Sequence, residues 1–568
     1  MRTSPPRLIT AYRQRGWWTD TRITDLFDVA ARSHPSRLAV ADAPNRALLC
    51  GGNVLRLHFA ELEQLVLAYM LQFRAVGLER DDILITQLPN IVEYVAIYLA
   101  ALKLGIILSP VPMQFRRREL EQIMRLTGAR SLLTLTQFKG TEPARDALNL
   151  AQMHQAQVLV LGEPQLGGSI ALVPRPPTDA ELQALRTHVR QLAVSSDDIA
   201  TICWTSGTEG IPKGVPRSHN HWLAISHAHF DGAGIRDGDV LLNPFPLVNM
   251  AALGGCFMSW LHAAGTLLLH HPFELPVYLQ QISADQPQYA IAAPAILNML
   301  LKNERLLAVT DFSSLRCIGS GSAPLDPAMI RGFRDRFGIE VVNMFGSNEG
   351  ISLVSSAAEA PLPEQRATLF PRFGRRELPW PQRVATAIET RLMDPDSGTE
   401  ILTAGQAGEM QIRGPMVFDG YFRAPQLTDA AFTADGYFRT GDLFEIAEEG
   451  GELRYYRFIG RLKQLIVRGG VKIAPEEIEC LLTQHPDIAE ACVIGYRDAV
   501  FGERVCAIVV PRQQGATVSL QSIQSHFRNA GLAIFKWPER VRMVVALPRN
   551  AIGKVVRPSL AAMAEKPD

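Results

Sequence analysis

A chain of 568 residues exceeds what one hydrophobic core organises, so at least two domains are expected. Lys plus Arg and Asp plus Glu balance at 57 each, leaving no global field to draw nucleic acid or an anionic membrane surface. A hydrophobic content of 47% with 20% charged residues is that of a soluble globular enzyme, and the opening ten residues lack the apolar core of an export signal.

In chain order, residues 23–41 read as an amphipathic helix leading into a strand, and 60–76 as a helix closed by Gly77. Short apolar runs at 82–88, 105–108, 131–135, 157–161 and 200–203 read as strands, with a helix at 91–103 between the first two. Further strands are expected at 239–242, 289–292, 315–318 and 340–342. Strands this apolar, alternating with helices, belong to sheets buried on both faces, hence an α/β class. Residues 250–269 are long enough to span a bilayer, but His262 and the glycines favour a buried helix followed by a strand at 265–269. The basic clusters Arg116–Arg118 and Arg372–Arg376 read as solvated faces. From about residue 382 the texture shifts to short strands (385–391, 409–413, 453–458). After Gly460-Arg461 comes a small α+β unit, with a helix at 474–483 and strands at 491–496, 504–510 and 540–545. The seven cysteines are scattered without a C-x-x-C pair, as expected of reduced packing residues in a cytoplasmic protein.

Six constellations carry chemistry. Behind the 200–203 strand runs Trp204-Thr205-Ser206-Gly207-Thr208-Glu209-Gly210-Ile211-Pro212-Lys213-Gly214-Val215. Its glycines let the main chain approach a ligand, its hydroxyls add donors and Lys213 adds a charge on a hairpin, a combination suited to a polyphosphate. The spacing is not that of a Walker loop. Downstream lie Gly319-Ser320-Gly321-Ser322-Ala323-Pro324, then Asn343-Met344-Phe345-Gly346-Ser347-Asn348-Glu349, then Arg439-Thr440-Gly441-Asp442. Gly460-Arg461-Leu462-Lys463 precedes Arg468-Gly469-Gly470-Val471-Lys472, and Asn550-Ala551-Ile552-Gly553-Lys554 follows the last strand.

Occurring together in this order, these motifs resemble the adenylate-forming superfamily of acyl- and aryl-CoA ligases, peptide-synthetase adenylation domains and beetle luciferases. The resemblance implies a large N-terminal AMP-binding domain, residues 1–460, of two α/β sheets with a barrel-like subdomain at 382–460. A small mobile α+β lid, 461–568, would carry the adenylation lysine. The implied reaction joins a carboxylate to MgATP as an acyl-adenylate, releases pyrophosphate, and passes the acyl group to a thiol. Thr205, Ser206, Gly207, Thr208 and Lys213 would hold phosphates, with Thr208 also in the catalytic set, and Glu349 would ligate Mg²⁺. Gly321, Ser322, Ala323, Asn343, Met344, Phe345 and Gly346 would line the adenine. Asp442 and Arg461 would meet the ribose or phosphate, and Lys554 would offset charge as the two anions approach. Lys463 matches the hinge, and Gly469 and Gly470 would line the pantetheine path.

Four positions depart from the family pattern: Glu209 in the phosphate loop, Asn348 before the glutamate, Gln464 beside the hinge, and Val248-Asn249 where an aromatic–histidine pair is common. The segments 12–18, 218–222 and 467–474 resemble aryl-acid AMP ligases of siderophore pathways, and similar openings occur in CoA ligases for cyclic carboxylates. Asn220, Trp222, Asn249, Met250, Ser320 and Ser347 are the substrate-pocket candidates. The reading is therefore an acyl-CoA ligase, monomeric or homodimeric, for a hydrophobic, cyclic or aromatic carboxylate, using ATP, Mg²⁺ and CoA. An aryl-acid ligase loading a carrier protein is the alternative within the class. A luciferase-like oxidative enzyme and a non-catalytic nucleotide-binding regulator are alternatives outside it.

Overall fold

Short runs of branched aliphatic residues need apolar cover on both faces, and the fold supplies it with two helix-covered sheets. The computed structural model describes residues 1–162, 166–206, 212–321, 324–468, 471–498, 500–513, 515–530, 532–549 and 555–566. Two compact units emerge: 1–389 with 412–438, and 390–411 with 439–568.

In the first unit, one seven-stranded sheet runs in the order Ser169–Leu172, Gln157–Leu161, Ser131–Thr134, Ile83–Thr86, Ile107–Pro110, Ile199–Ser206, Pro212–Ser218. Every neighbouring pair is parallel except the last, an antiparallel hairpin at the sheet edge. The second sheet is eight-stranded: Ser352–Ser355, Glu340–Gly346, Cys317–Gly321, Tyr289–Ile291, Val240–Asn243, Thr266–Leu269, Leu38–Ala41, Arg56–His58. Its interior is parallel and its two outermost pairings antiparallel. Helix Val92–Leu104 has eleven of its thirteen residues buried, as befits a helix apolar all round. Gly105 ends it in the left-handed region, a conformation glycine adopts without steric cost.

The apolar stretch from Met250 becomes a short helix, a π-helical turn at Leu253–Met258, a second helix at Ser259–Ala263, and the buried strand Thr266–Leu269. The π turn is not legible in the sequence, since nothing in Leu-Gly-Gly-Cys-Phe-Met marks the change from i+4 to i+5 bonding. Among the described residues no helix is long and apolar enough to cross a membrane. Of the two basic clusters, Arg116–Arg118 is exposed as expected. Arg372 instead is buried beside fully buried Phe373, so the second cluster is not a solvated face throughout.

The second unit contains the strands Glu389–Met393, Ala407–Arg413, Phe438–Glu449 and Glu452–Arg461, neighbours in a sheet in reverse of that order. Its other sheet centres on the long antiparallel pair Ile488–Asp498 and Gly502–Pro511. Alternation along that pair decides burial. Val493, Val505, Ala507 and Val509 pack with Ile478, Leu482, Ile523 and Phe527 on one face. Cys492, Ile494, Tyr496, Cys506 and Ile508 pack with Leu547, Leu560 and Ala564 on the other. None of the seven cysteines is in a disulfide, and five are buried.

In the first unit His219 and His229 are buried, and His227 and His262 half-buried, with their rings held neutral. Burial holds the imidazoles of His219, His227 and His229 down at about 4 and that of His262 at about 3. The tilted rings of His227 and His262 lie with centroids 5.0 Å apart, and Ser226 Oγ lies 2.8 Å from His262 Nε2. In the unfolded chain these rings titrate near 6.5, so the unfolded state binds more protons below that pH. Their contribution is complete above about pH 6.5 and is lost as pH falls toward 4, at about 1.4 kcal/mol per pH unit for each site. The urea midpoint is expected to drop steadily from pH 6.5 to 4.5, with a shallower slope in the His227→Gln/His262→Gln chain. An equal slope in the two proteins would assign the acid sensitivity to other groups.

Candidate active site

The hairpin at the sheet edge pairs Thr205 with Lys213 and Trp204 with Gly214. Lys213 thus stands on a strand rather than in the turn. Gly207, Thr208 and Glu209 lie outside the described residues, as does the Ser206 side chain. Trp204 is fixed by its indole N–H, which donates to Ser109 Oγ at 2.9 Å. A Cβ at Gly214 would press on Ile202, Phe422 and Trp204, and the Gly214 carbonyl accepts the Phe422 N–H at 2.8 Å. Glycine is required here because another segment docks on the strand.

Four residues beyond Lys213, Arg217 is fully buried. Its Nη1 donates to the Asn348 carbonyl at 2.8 Å, and its Nη2 to the carbonyls of Met416 at 2.8 Å and His221 at 3.1 Å. The guanidinium lies 4.7 Å from the Trp222 ring centroid. Burial lowers its pKa to about 10, so it remains a cation at neutral pH.

The strand Glu340–Gly346 delivers the next motif. Asn343 spends its amide on the carbonyls of Arg366 and Ala367, and Phe345 packs on Phe370 with centroids 5.8 Å apart. Gly321 lies opposite Met344, whose carbonyl a Cβ would overlap. Ser322 and Ala323 lie outside the described residues. Asn348 accepts the Met250 N–H at 2.9 Å and donates to the Trp204 carbonyl at 3.2 Å, so one amide ties the hairpin to the apolar helix. Glu349 is half-buried. Its carbonyl accepts the Phe418 N–H at 2.9 Å, and its Oε1 accepts the Tyr421 hydroxyl at 3.3 Å. The following Gly350 has φ +109°, and a Cβ there would overlap the Met416 carbonyl.

Of the pocket candidates, Met250 is buried with its Cγ 4.0 Å from where a Cβ on Gly346 would stand. Ser347 Oγ is buried and takes no hydrogen bond from any described residue. Asn249 caps its helix by accepting the Ala252 N–H at 3.2 Å. Ser320 donates to the Ala292 carbonyl at 2.8 Å. Asn220 is committed to Thr19, Ser196 and Asp197. Trp222 is core, its indole N–H donating to Thr201. These last two therefore hold the scaffold.

In the second unit, Asp442 and Arg461 face each other across paired strands, with Arg461 Nε 3.1 Å from Asp442 Oδ1. Gly441 has φ +70°, and its N–H donates to Glu409 Oε1 at 3.2 Å. Lys463 sits in the 3-10 turn Leu462–Gln464. Gly469, Gly470 and Lys554 lie outside the described residues.

Arg217 and the 414–422 loop were not among the residues singled out by sequence. An arginine inside the apolar run Val215-Pro216-Arg217 is the one available signal, since a charge there must find partners. Replacing it with leucine strands three backbone acceptors. Arg217→Leu should cost about 3 kcal/mol or more in urea unfolding. A loss below about 1 kcal/mol would show that the carbonyls find other donors.

Comparison with known proteins matches residues 27–422 to the AMP-binding enzyme family model and 477–554 to the AMP-binding enzyme C-terminal domain. The chain is 30% identical to a medium-chain fatty-acid–CoA ligase of Escherichia coli K12, covering 96% of this chain and 91% of that one. It is 28% identical to the pyochelin synthase PchD of Pseudomonas aeruginosa, covering 98% and 95% respectively. The crystal structure of ATP-bound MatB from Rhodopseudomonas palustris superposes with a TM-score of 0.75 at 26% identity, covering 96% of this chain and 99% of that one. The chain belongs to the AMP-binding enzyme family of the adenylate-forming superfamily.

Proposed function

We propose that this AMP-forming ligase activates a hydrophobic, cyclic or aromatic carboxylate and transfers the acyl group to the thiol of CoA. The observation that carries the reading is the joint anchoring of Lys213 and Glu349, which holds a cation and a carboxylate on adjoining backbone segments of one unit. In the first step a carboxylate oxygen attacks the α-phosphorus and pyrophosphate leaves. In the second a thiolate sulfur attacks the acyl carbonyl and AMP leaves. The protein's share of such chemistry is positioning and electrostatic stabilisation.

Thr205 and Lys213 meet the phosphates in this reading, together with the turn residues through Thr208. The donor set fits Mg²⁺, which takes one or two carboxylates and completes its shell with phosphate oxygens and water. When bound, the ion offsets phosphate charge, and Glu349 would hold it. Asp442, whose two oxygens suit a ribose diol, is oriented by Arg461. Lys554 supplies the ammonium beside the reacting oxygens, and Lys463 is the pivot of a lid beginning near residue 461. Full-length similarity to a CoA ligase supports the acceptor. Similarity to PchD over 98% of the chain supports a second reading, in which the acceptor is a carrier-protein phosphopantetheine.

The test is pyrophosphate release across a panel of aliphatic, cyclic and aromatic acids, each with CoA, with a phosphopantetheinylated carrier protein, or with neither. Pyrophosphate release with one acid class and a thioester on CoA are expected. A thioester on the carrier alone would select the second reading, and ATP consumption with none of the acids would reject both. Lys554→Ala should abolish carboxylate-dependent ATP–pyrophosphate exchange while sparing thioester formation from supplied acyl-adenylate. A bulky residue at Gly470 should do the reverse. Equal loss of both steps in either variant would refute its assignment.

A further inference from the structure

The run Asp419-Gly420-Tyr421-Phe422 plays no part in the motif reading, yet Tyr421 touches both charged groups on which that reading relies. Its hydroxyl donates to Glu349 Oε1 at 3.3 Å, and Lys213 Nζ lies 4.9 Å from the centroid of its ring. The ring is held from several sides. Its own N–H donates to Thr428 Oγ1 at 2.9 Å, and the next residue's N–H donates to the Gly214 carbonyl at 2.8 Å. Phe418, bonded through its N–H to the Glu349 carbonyl, meets the ring edge-on at 4.9 Å. At Gly420 a Cβ would strike Thr428, so the loop reaches this position only with glycine there.

A lysine and a glutamate that meet one residue from two sides are opposite charges free to pair with each other unless something stands between them. Among the described residues no ion pair joins Lys213 to Glu349; the tyrosine engages each separately, one through its π face and one through its hydroxyl. We propose that Tyr421 is a positioning residue for nucleotide binding, a spacer that keeps the Lys213 ammonium available to phosphate and the Glu349 carboxylate available to the divalent cation of MgATP. The proposal rests on the adenylation reading and adds to it a residue that touches neither reacting atom.

Calorimetric titration of the full chain with ATP, in excess MgCl₂ and in EDTA, tests it without a known acid. Tyr421→Phe keeps the ring and loses the hydroxyl. Its affinity in EDTA should stay within about twofold of the parent, while the gain conferred by Mg²⁺ falls about tenfold. Tyr421→Leu loses both contacts, so ATP binding in EDTA should also weaken, roughly fivefold. Should Tyr421→Leu fail to fold, the phenylalanine arm decides alone. Parent-like MgATP binding by Tyr421→Phe, or equal losses with and without Mg²⁺, would overturn the proposal and leave the adenylation reading standing. A parent chain that binds no ATP in either buffer would overturn both.

Discussion

A single buried guanidinium sets the conditions under which the site can exist. Moving a charge from water into the interior is costly, and the cost is tolerable only where hydrogen bonds replace hydration. Arg217 meets this requirement with backbone carbonyls rather than a carboxylate, drawing them from Asn348, His221 and Met416. Carbonyls cannot change rotamer, so satisfying the cation fixes main chain. The segments so fixed are the one before Glu349, the first turn of helix His219–Gly232 and the loop that bears Tyr421. The guanidinium itself hangs from the strand that carries Lys213. Lys213 and Glu349, more than a hundred residues apart in sequence, acquire a fixed relation through one side chain.

The loop at 414–422 needs support from its other side as well, and the N-terminal segment provides it. The Trp18 indole N–H donates to the Pro415 carbonyl at 3.0 Å, and Ser4 donates to Asp419. Trp18 also meets His221 edge-on at 5.0 Å, with His221 Nε2 3.2 Å from Asp419 Oδ2. The loop is therefore held by residues from the start of the chain on one side and by Arg217 and Gly214 on the other. Gly350 marks where a second backbone passes too closely for a side chain, and Gly420 where the Thr428 side chain does the same. Rigid support of this kind is what a site relying on positioning requires.

The parts of this design that are local in sequence were legible in it. Short apolar runs became strands, their length setting them apart from a buried helix such as Val92–Leu104, and Gly77 follows its helix as expected, whereas Gly105, read as the start of a strand, caps the helix before it. The hairpin and its lysine were legible for the same reason. What escaped was long-range. Asn220 and Trp222 sit in a motif-like run, but helix His219–Gly232 is buried on nearly every side, and both side chains are bonded to neighbouring elements. Whether a polar residue is spent on the scaffold or left for a ligand depends on partners such as Thr19 and Asp197, which no spacing rule connects to it. Tyr421 was invisible for a related reason, since its role follows from contacts at separations of 72 residues and more.

Asn348 shows how a departure from a family pattern can be consistent with the fold that holds it. A hydroxyl can donate one hydrogen bond and accept others through a single atom, so both partners must converge on one point. A carboxamide separates its acceptor from its donor. Here the oxygen takes the Met250 N–H while the nitrogen reaches the Trp204 carbonyl, and the residue's own carbonyl is held by Arg217. The amide therefore spans the gap between the apolar helix that begins at Met250 and the strand Ile199–Ser206. A shorter side chain at 348 could satisfy one of these partners but not both without moving main chain. Because the Arg217 bond forbids that movement, the identity of residue 348 follows from how far apart the helix and the hairpin stand.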